Sequence, residues 1–172
     1  MRAWDAVTRL AHWSLAALVL FEWIRDDGGH VHRVAGYVAA GVVLVRWAWA
    51  LAPPRGFAAL RPSLAATRAY LRELRRGRAP RHAGHDPLGL WMVWLLWILV
   101  LLLALTGWVS RWDAFWGDER VTDLHAWLAD VLMLAVAVHV SAVGVMSWVW
   151  RENLPKAMLT GNKRAVDEGD GC

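Results

Sequence analysis

The sequence predicts an all-α integral membrane protein, built as a bundle of four transmembrane helices. Of its 172 residues 58% are apolar and the mean hydropathy is +0.31, whereas apolar residues make up roughly half or less of an ordinary soluble domain. The 14 Trp residues are also numerous for this length, and Trp favours the membrane–water interface. A helical bundle of this size leaves little room for a second core, so we expect one domain.

Four apolar spans account for the four helices, because a helix needs roughly 20 residues to cross the hydrocarbon core. The third span, Leu88–Ser110, carries no charge, and the fourth, Leu124–Trp150, carries only Asp130. The second, Val34–Ala52, carries Arg46. The first, about Leu10–Ile24, is interrupted by Glu22 and needs the preceding turn from Asp5, a candidate N-cap, to reach full length. The predicted bounds are a transmembrane domain over 1–162, with helices over 6–25, 32–52, 87–110 and 122–150, and a polar tail over 163–172.

Arginine in the loops predicts the orientation of the bundle. Residues 53–87 hold eight Arg, whereas the two opposite loops hold two Arg each and are balanced or acidic. Because basic loops stay in the cytoplasm, both termini are expected on the inner side. Within the basic loop, leucines at residues 64–76 predict an amphipathic helix on anionic headgroups, with a solvated loop as the alternative. The formal charge of +4 does not indicate nucleic-acid binding, because the Arg residues lie between apolar spans.

Four of the seven His residues lie in or at the ends of predicted transmembrane helices, where ionisable residues are costly and indicate function. His125 and His139 are 14 residues apart, nearly four helical turns, so they share one face about 21 Å apart. His32 begins the second helix at the level of His125, and His12 lies near the inner start of the first helix, at the level of His139. The sequence therefore predicts an outer pair, His32–His125, and an inner pair, His12–His139.

Haem iron takes two axial ligands and imidazole suits it, so the two pairs predict two b haems stacked across the bilayer. Zinc fits less well, because it gathers four ligands at one point. Cys172 is the single cysteine, so no C-x-x-C-H attachment site exists and the haems are expected to be non-covalent.

Gly36 follows His32 by one turn and would let the helix approach a porphyrin face, with ordinary helix packing as the alternative. Arg46 shares the face of His32 at the inner depth, where it would pair with a haem propionate or extend to the headgroups.

Several short motifs follow one another in a specific order and spacing. They are Trp4-Asp5-x-x-Thr8-Arg9-x-x-His12-Trp13, His32-x-x-x-Gly36-Tyr37 with Arg46, Gly84-His85-Asp86-Pro87-Leu88-Gly89, Thr106-Gly107, the pair His125 and His139, and Asn153-Leu154-x-x-Ala157-Met158-x-x-Gly161. With these motifs the chain resembles the bacterial cytochrome b561 and nickel-hydrogenase b-type cytochrome family over essentially its whole length.

The resemblance implies a four-helix bundle with two b haems in the bacterial inner membrane. It implies electron transfer between the quinone pool and a periplasmic cytochrome c, hydrogenase or dehydrogenase subunit. One related short branch is similar to superoxide oxidases, so a superoxide:ubiquinone oxidoreductase is the alternative. The outer loops hold four Arg against six acidic residues, so they do not form a positively charged surface that would attract the superoxide anion. This favours an electron-transfer subunit over a stand-alone enzyme. A transporter or structural bundle is the third alternative.

Four further residues have open roles. His85 and Arg9 are candidates for a quinone site, with loop capping as the alternative. Asp130 lies off the predicted haem face and is expected to hydrogen-bond within the bundle, with a proton relay as the alternative. His30 is a rival of His32 as the outer ligand, but we expect it to be a loop residue, because His32 carries the His-x-x-x-Gly-Tyr context.

Overall fold

Helices make up most of the structure. The computed structural model describes residues 3–25, 27–51, 60–82, 84–115 and 117–164. A short 3₁₀ turn lies at Asp113–Phe115, and no β-strand occurs in these ranges. The helices are α1 (Ala6–Ile24), α2 (His30–Leu51), α3 (Leu64–Arg75), α4 (Pro87–Val109), α5 (Glu119–Val149) and α6 (Leu154–Thr160).

Four of these helices, α1, α2, α4 and α5, are long and apolar enough to cross a membrane. This confirms the prediction of an all-α chain with four candidate spans. The longest, α5, has 31 residues and is therefore about 46 Å long. It is therefore longer than the hydrocarbon core of a bilayer, which is roughly 30 Å thick. The amphipathic helix predicted within residues 64–76 is α3.

Side-chain caps set the start of both α1 and α4. The Asp5 carboxylate accepts a hydrogen bond of 2.7 Å from the Thr8 N–H at the start of α1, which confirms the predicted N-cap. Asp86 caps α4 in the same way, accepting from the N–H of Gly89 at 2.8 Å. Pro87 occupies the first turn of α4, where its missing N–H costs nothing.

The long helices pack in chain order, α1 on α2, α2 on α4 and α4 on α5. Large apolar side chains also cover the outside of the bundle, and Trp148 is 81% exposed. This is the surface expected of helices that face lipid tails. The buried core lies mainly between α2, α4 and α5, and consists of Ala39, Val43, Leu60, Trp97, Leu99, Val100, Leu128, Leu132 and Ala135.

Both ends of the described chain lie at one end of the bundle. The backbone N–H groups of Ala3 and Trp4 donate to the Gly161 carbonyl at 2.8 and 3.1 Å. Gly161 has φ +82°, and a Cβ added there would lie 2.7 Å from the Trp4 carbonyl oxygen, so the position requires glycine. We call this end the inner end, after the predicted topology, and the opposite end the outer end.

A buried ion pair ties the loop before α4 to the segment after α5. The Arg81 guanidinium donates to Glu152 Oε2 from Nε at 3.2 Å and from Nη2 at 2.7 Å. The second oxygen of Glu152 accepts the Arg164 N–H at 2.7 Å. Lys163 Nζ donates to the Gly84 carbonyl at 2.9 Å. These contacts close the inner end of the bundle.

Candidate haem sites

The outer histidine pair joins α2 to α5. The ring centres of His32 and His125 are 6.2 Å apart, and their planes cross at 68°. His32 Nδ1 lies 2.7 Å from the Arg25 carbonyl oxygen, and His125 Nδ1 lies 2.8 Å from Thr106 Oγ1. Both rings are half-buried.

These contacts determine which ring nitrogen carries the proton. A backbone carbonyl only accepts, so the Nδ1 of His32 must donate to Arg25. The Thr106 hydroxyl donates to the Leu102 carbonyl at 2.9 Å and therefore accepts from His125 Nδ1. In both rings Nε2 is left unprotonated, which is the form that binds a metal.

The inner histidine pair joins α1 to α5. The ring centres of His12 and His139 are 6.4 Å apart, with 53° between their planes. Both rings are half-buried. His12 Nδ1 is a buried atom with no hydrogen-bond partner among the described residues. A buried polar atom ordinarily has a hydrogen-bond partner. His12 therefore lacks the kind of hydrogen bond that Arg25 gives His32 and Thr106 gives His125.

Both pairs have the spacing of two imidazoles on opposite sides of one iron atom. A metal–imidazole bond of about 2 Å on each side, plus roughly 1 Å from nitrogen to ring centre, separates two such ring centres by about 6 Å. The observed separations are 6.2 and 6.4 Å. In the part of the chain that the structure describes, no group of three or more His, Cys, Asp or Glu could hold a metal ion. Two protein ligands per centre suit a metal whose remaining ligands belong to a macrocycle, and the residues therefore fit haem.

Arg46 lies near the inner pair. Its side chain is buried, and its guanidinium carbon lies 5.8 Å from the centre of the Trp97 ring. It also interacts electrostatically with Asp5. Burial would raise the pKa of the Asp5 carboxyl, but hydrogen bonds from the backbone of Thr8 and the indole of Trp49, with the charge of Arg46, hold that pKa below its ordinary value. Asp5 therefore partly compensates the charge of Arg46.

His85 packs beside the inner pair. Its ring lies 4.6 Å from the Trp4 ring, edge to face, and its Nδ1 is buried with no hydrogen-bond partner among the described residues. Burial, and then the charges of Lys163 and Arg46, lower the pKa of His85 to about 3. His85 is therefore neutral at physiological pH and able to hydrogen-bond a ligand.

Arg9, the second predicted quinone candidate, is partly committed to the protein. Its Nη1 donates to the Leu159 carbonyl of α6. Its Nε is buried without a hydrogen-bond partner in the described ranges. An N–H of Arg9 at Nη1 thus anchors α6, in the manner of the capping alternative, and the buried Nε–H is left for a bound molecule.

The two glycines near the outer pair lie against polar side chains. A Cβ added to Gly36 would lie 3.5 Å from Glu22 Oε2, and one added to Gly107 would lie 3.4 Å from His125 Cε1. Gly36 was predicted to face the porphyrin, and that role stays a prediction. What the structure places against it is the carboxylate of Glu22.

Two residues near the outer pair were not predicted as site residues. Glu22 Oε2 lies 3.0 Å from His32 Nδ1, and Thr106 is the acceptor for His125. The signal for Glu22 was available, since it is an acidic residue inside an apolar span. Thr106 stands in the Thr106-Gly107 motif, but a hydroxyl in a transmembrane helix ordinarily bonds its own backbone, so the motif did not indicate a contact with His125.

The prediction that Asp130 hydrogen-bonds within the bundle is wrong. Its side chain is exposed on the surface of α5, and it makes no hydrogen bond within the described ranges. Asp130 follows His125 by five residues, which turns it about 140° away from the histidine face. That rotation is consistent with its place on the surface.

His30 is also placed differently from the expectation, because it is the first residue of α2 and not a loop residue. Its side chain is exposed, whereas His32 faces His125.

We therefore expect His30→Ala to retain both haems, and the matched His32→Ala to lose the outer one. Haem-to-protein ratios of the two purified variants test this, and loss of the outer haem in His30→Ala would move the ligand assignment to His30.

Comparison with known proteins identifies the type of cofactor. A family model described as prokaryotic cytochrome b561 matches residues 3–161, which include all four paired histidines. None of the curated proteins compared with the chain matches it.

Proposed function

Because the chain belongs to the prokaryotic cytochrome b561 family, b-type cytochromes of membrane electron transfer, we propose that it is a di-haem electron carrier of the bacterial inner membrane. In this proposal it passes electrons between a periplasmic redox partner and the quinone pool. The partner is a cytochrome c, or a hydrogenase or dehydrogenase subunit.

One observation carries the proposal: two facing histidine pairs lie at opposite ends of one bundle, on the same face of α5. His125 and His139 are about 21 Å apart along that helix. Two cofactors held there would therefore lie at different depths, one in the outer half and one in the inner half of the membrane. Haem would supply one-electron chemistry there, and the two histidines of each pair would hold it. The chain's own contribution is to hold four imidazoles in place.

Charge distribution supports the proposed orientation. The described residues just before α4 lie on the side of both ends of the described chain, because Arg81 contacts Glu152 and Lys163 contacts the Gly84 carbonyl. The sequence around them is rich in Arg, and such segments favour the cytoplasmic, anionic membrane surface. The outer pair would then face the periplasmic partner.

Two groups support a quinone site at the inner end. His85 Nδ1 and Arg9 Nε are buried and have no hydrogen-bond partner in the described part of the chain, and quinone carbonyls accept hydrogen bonds. Both groups come from motifs that flank the inner pair, so a quinone there would exchange electrons with the inner haem.

The test is a redox titration of the purified protein in lipid nanodiscs, with and without added quinone. We expect two haems per chain, two b-type potentials, and a quinone-dependent shift in the inner one. Superoxide alone should not reduce the haems faster than a cytochrome c or hydrogenase donor does. Rapid reduction by superoxide would favour the oxidoreductase alternative, and a colourless protein would overturn both.

Arg46→Gln is expected to lower the reduction potential of the inner haem, because it removes a cation that offsets the extra negative charge of the reduced state. A unit charge about 10 Å away contributes roughly 1.7 kcal/mol at an effective dielectric constant of about 20, which for one electron is several tens of millivolts. Arg46→Lys should recover part of the shift. Potentiometric titration measures it, and two unchanged potentials in a normally inserted Arg46→Gln protein would remove the propionate role.

A further inference from the structure

Glu22 is an acidic side chain near the outer end of α1, and it faces a proposed haem ligand. Its Oε2 lies 3.0 Å from His32 Nδ1, and both side chains are only 19% exposed. Its other oxygen, Oε1, is buried and has no hydrogen-bond partner among the described residues. Oε2 also lies beside Gly36, 3.5 Å from where a Cβ on that residue would stand.

The surroundings of Glu22 provide little positive charge. In the described ranges its one ion-pair contact is with His32, and the nearby Arg25 is paired with Asp27 at 3.1 Å. A carboxylate removed from water is costly unless a cation or hydrogen-bond donors compensate it. An imidazole whose opposite nitrogen binds ferric iron carries such positive charge at Nδ1.

Resting on the proposed function, we infer that Glu22 is a positioning residue that lowers the reduction potential of the outer haem. Its carboxylate raises the basicity of the His32 ring, as carboxylates behind metal-bound histidines do. A more basic axial ligand, with a negative charge beside it, stabilises Fe(III) over Fe(II) in the one-electron couple. Within the outer pair the effect acts through His32, because the group that contacts Nδ1 of His125 is the neutral Thr106 hydroxyl.

The charge of Glu22 can be separated from the orientation of His32. The Arg25 carbonyl accepts from the same Nδ1 at 2.7 Å, so the ring keeps its tautomer when Glu22 is neutralised. Near the inner pair the charges are of both signs, since Arg46, which acts on His85 together with His12 and His139, has Asp5 as its counter-charge. The outer haem should therefore have the lower potential of the two, which favours electron flow inward.

The experiment compares wild type, Glu22→Gln, Glu22→Asp and the control Glu119→Gln by potentiometric titration and electron paramagnetic resonance of the ferric haems. Glu119 is an exposed acidic residue at the outer end of α5, so its removal tests the general loss of charge on that side. The His12→Ala and His125→Ala variants assign the two titration steps.

We expect Glu22→Gln to keep two haems, to raise the outer potential and change the outer ferric signal, and to leave the inner potential unmoved. Glu22→Asp should lie between Glu22→Gln and wild type, and Glu119→Gln should match wild type. Two bound haems with an unchanged outer potential in Glu22→Gln would overturn the inference.

Two further outcomes can be told apart, loss of the outer haem in Glu22→Gln and absence of haem from the wild type. If Glu22→Gln fails to bind the outer haem, Glu22→Asp decides, because its shorter side chain withdraws the charge from Nδ1. A raised outer potential there supports the inference, and an unchanged one overturns it. A wild-type protein that binds no haem would refute the proposed function and remove the premise of this inference.

Discussion

His139→Ala is expected to lose the inner haem and to keep the outer one, so that the haem content falls from two per chain to one. The reason is geometric, because His139 faces His12 with ring centres 6.4 Å apart and an axial ligand cannot be supplied from the other pair. His12→Ala should give the same residual spectrum and potential. Haem quantification with redox titration of each variant measures the effect.

The matched variants are His32→Ala and His125→Ala, which should resemble each other and lose the outer haem. His82→Ala is the control, since His82 lies outside both pairs, with Nδ1 at 3.0 Å from the Pro80 carbonyl. The assignment by depth is wrong if His12→Ala and His32→Ala damage the same haem.

Arg81→Ala is expected to destabilise the protein by about 3–5 kcal/mol, because removing one partner of a buried ion pair leaves the other charge uncompensated. The Arg81 side chain is 3% exposed and that of Glu152 is 11% exposed. Thermal unfolding in detergent measures the loss. Arg78→Ala is the matched control, because Arg78 makes a 3.8 Å contact with Glu73 at the surface and should change stability by about 0–1 kcal/mol.

The same pair predicts a dependence of stability on pH. Burial would raise the pKa of Glu152, but hydrogen bonds from Arg81 and from the Arg164 backbone hold it below its ordinary value. The unfolded chain therefore binds the proton more readily than the folded one. The stabilisation is fully present above the ordinary pKa and is lost as the pH falls through the lower folded value. Arg81→Ala should flatten this acid limb, and an unchanged limb would contradict the assignment.

The helices themselves could be predicted because their signals are local. The charge-free run that becomes α4 and the cap at Asp5 depend on neighbouring residues alone. The proximity of each histidine pair was also predictable, since the 14-residue spacing of His125 and His139 fixes two depths on one helix.

The rest depends on contacts between distant segments. The sequence shows that Glu22 is acidic but not that α2 brings His32 to within 3.0 Å of it. It shows Asp130 inside an apolar span but not which face of α5 the neighbouring helices cover. The closure of the inner end by Arg81 and Glu152 joins residues 71 positions apart, and no periodicity reports such a pairing.

The position of all four histidines has a consequence for biogenesis. Each proposed site takes one ligand from α1 or α2, and the other from α5, the last long helix to be synthesised. The partners are roughly 90 and 130 residues apart, so at about 5–20 residues per second a ribosome takes roughly 5 to 25 seconds to supply the second ligand. During that interval α1 and α2 enter the bilayer with half of each site. In the proposed arrangement, a haem held by two histidines would therefore be bound only after the insertion of α5, and a chain stalled before that helix would accumulate without it.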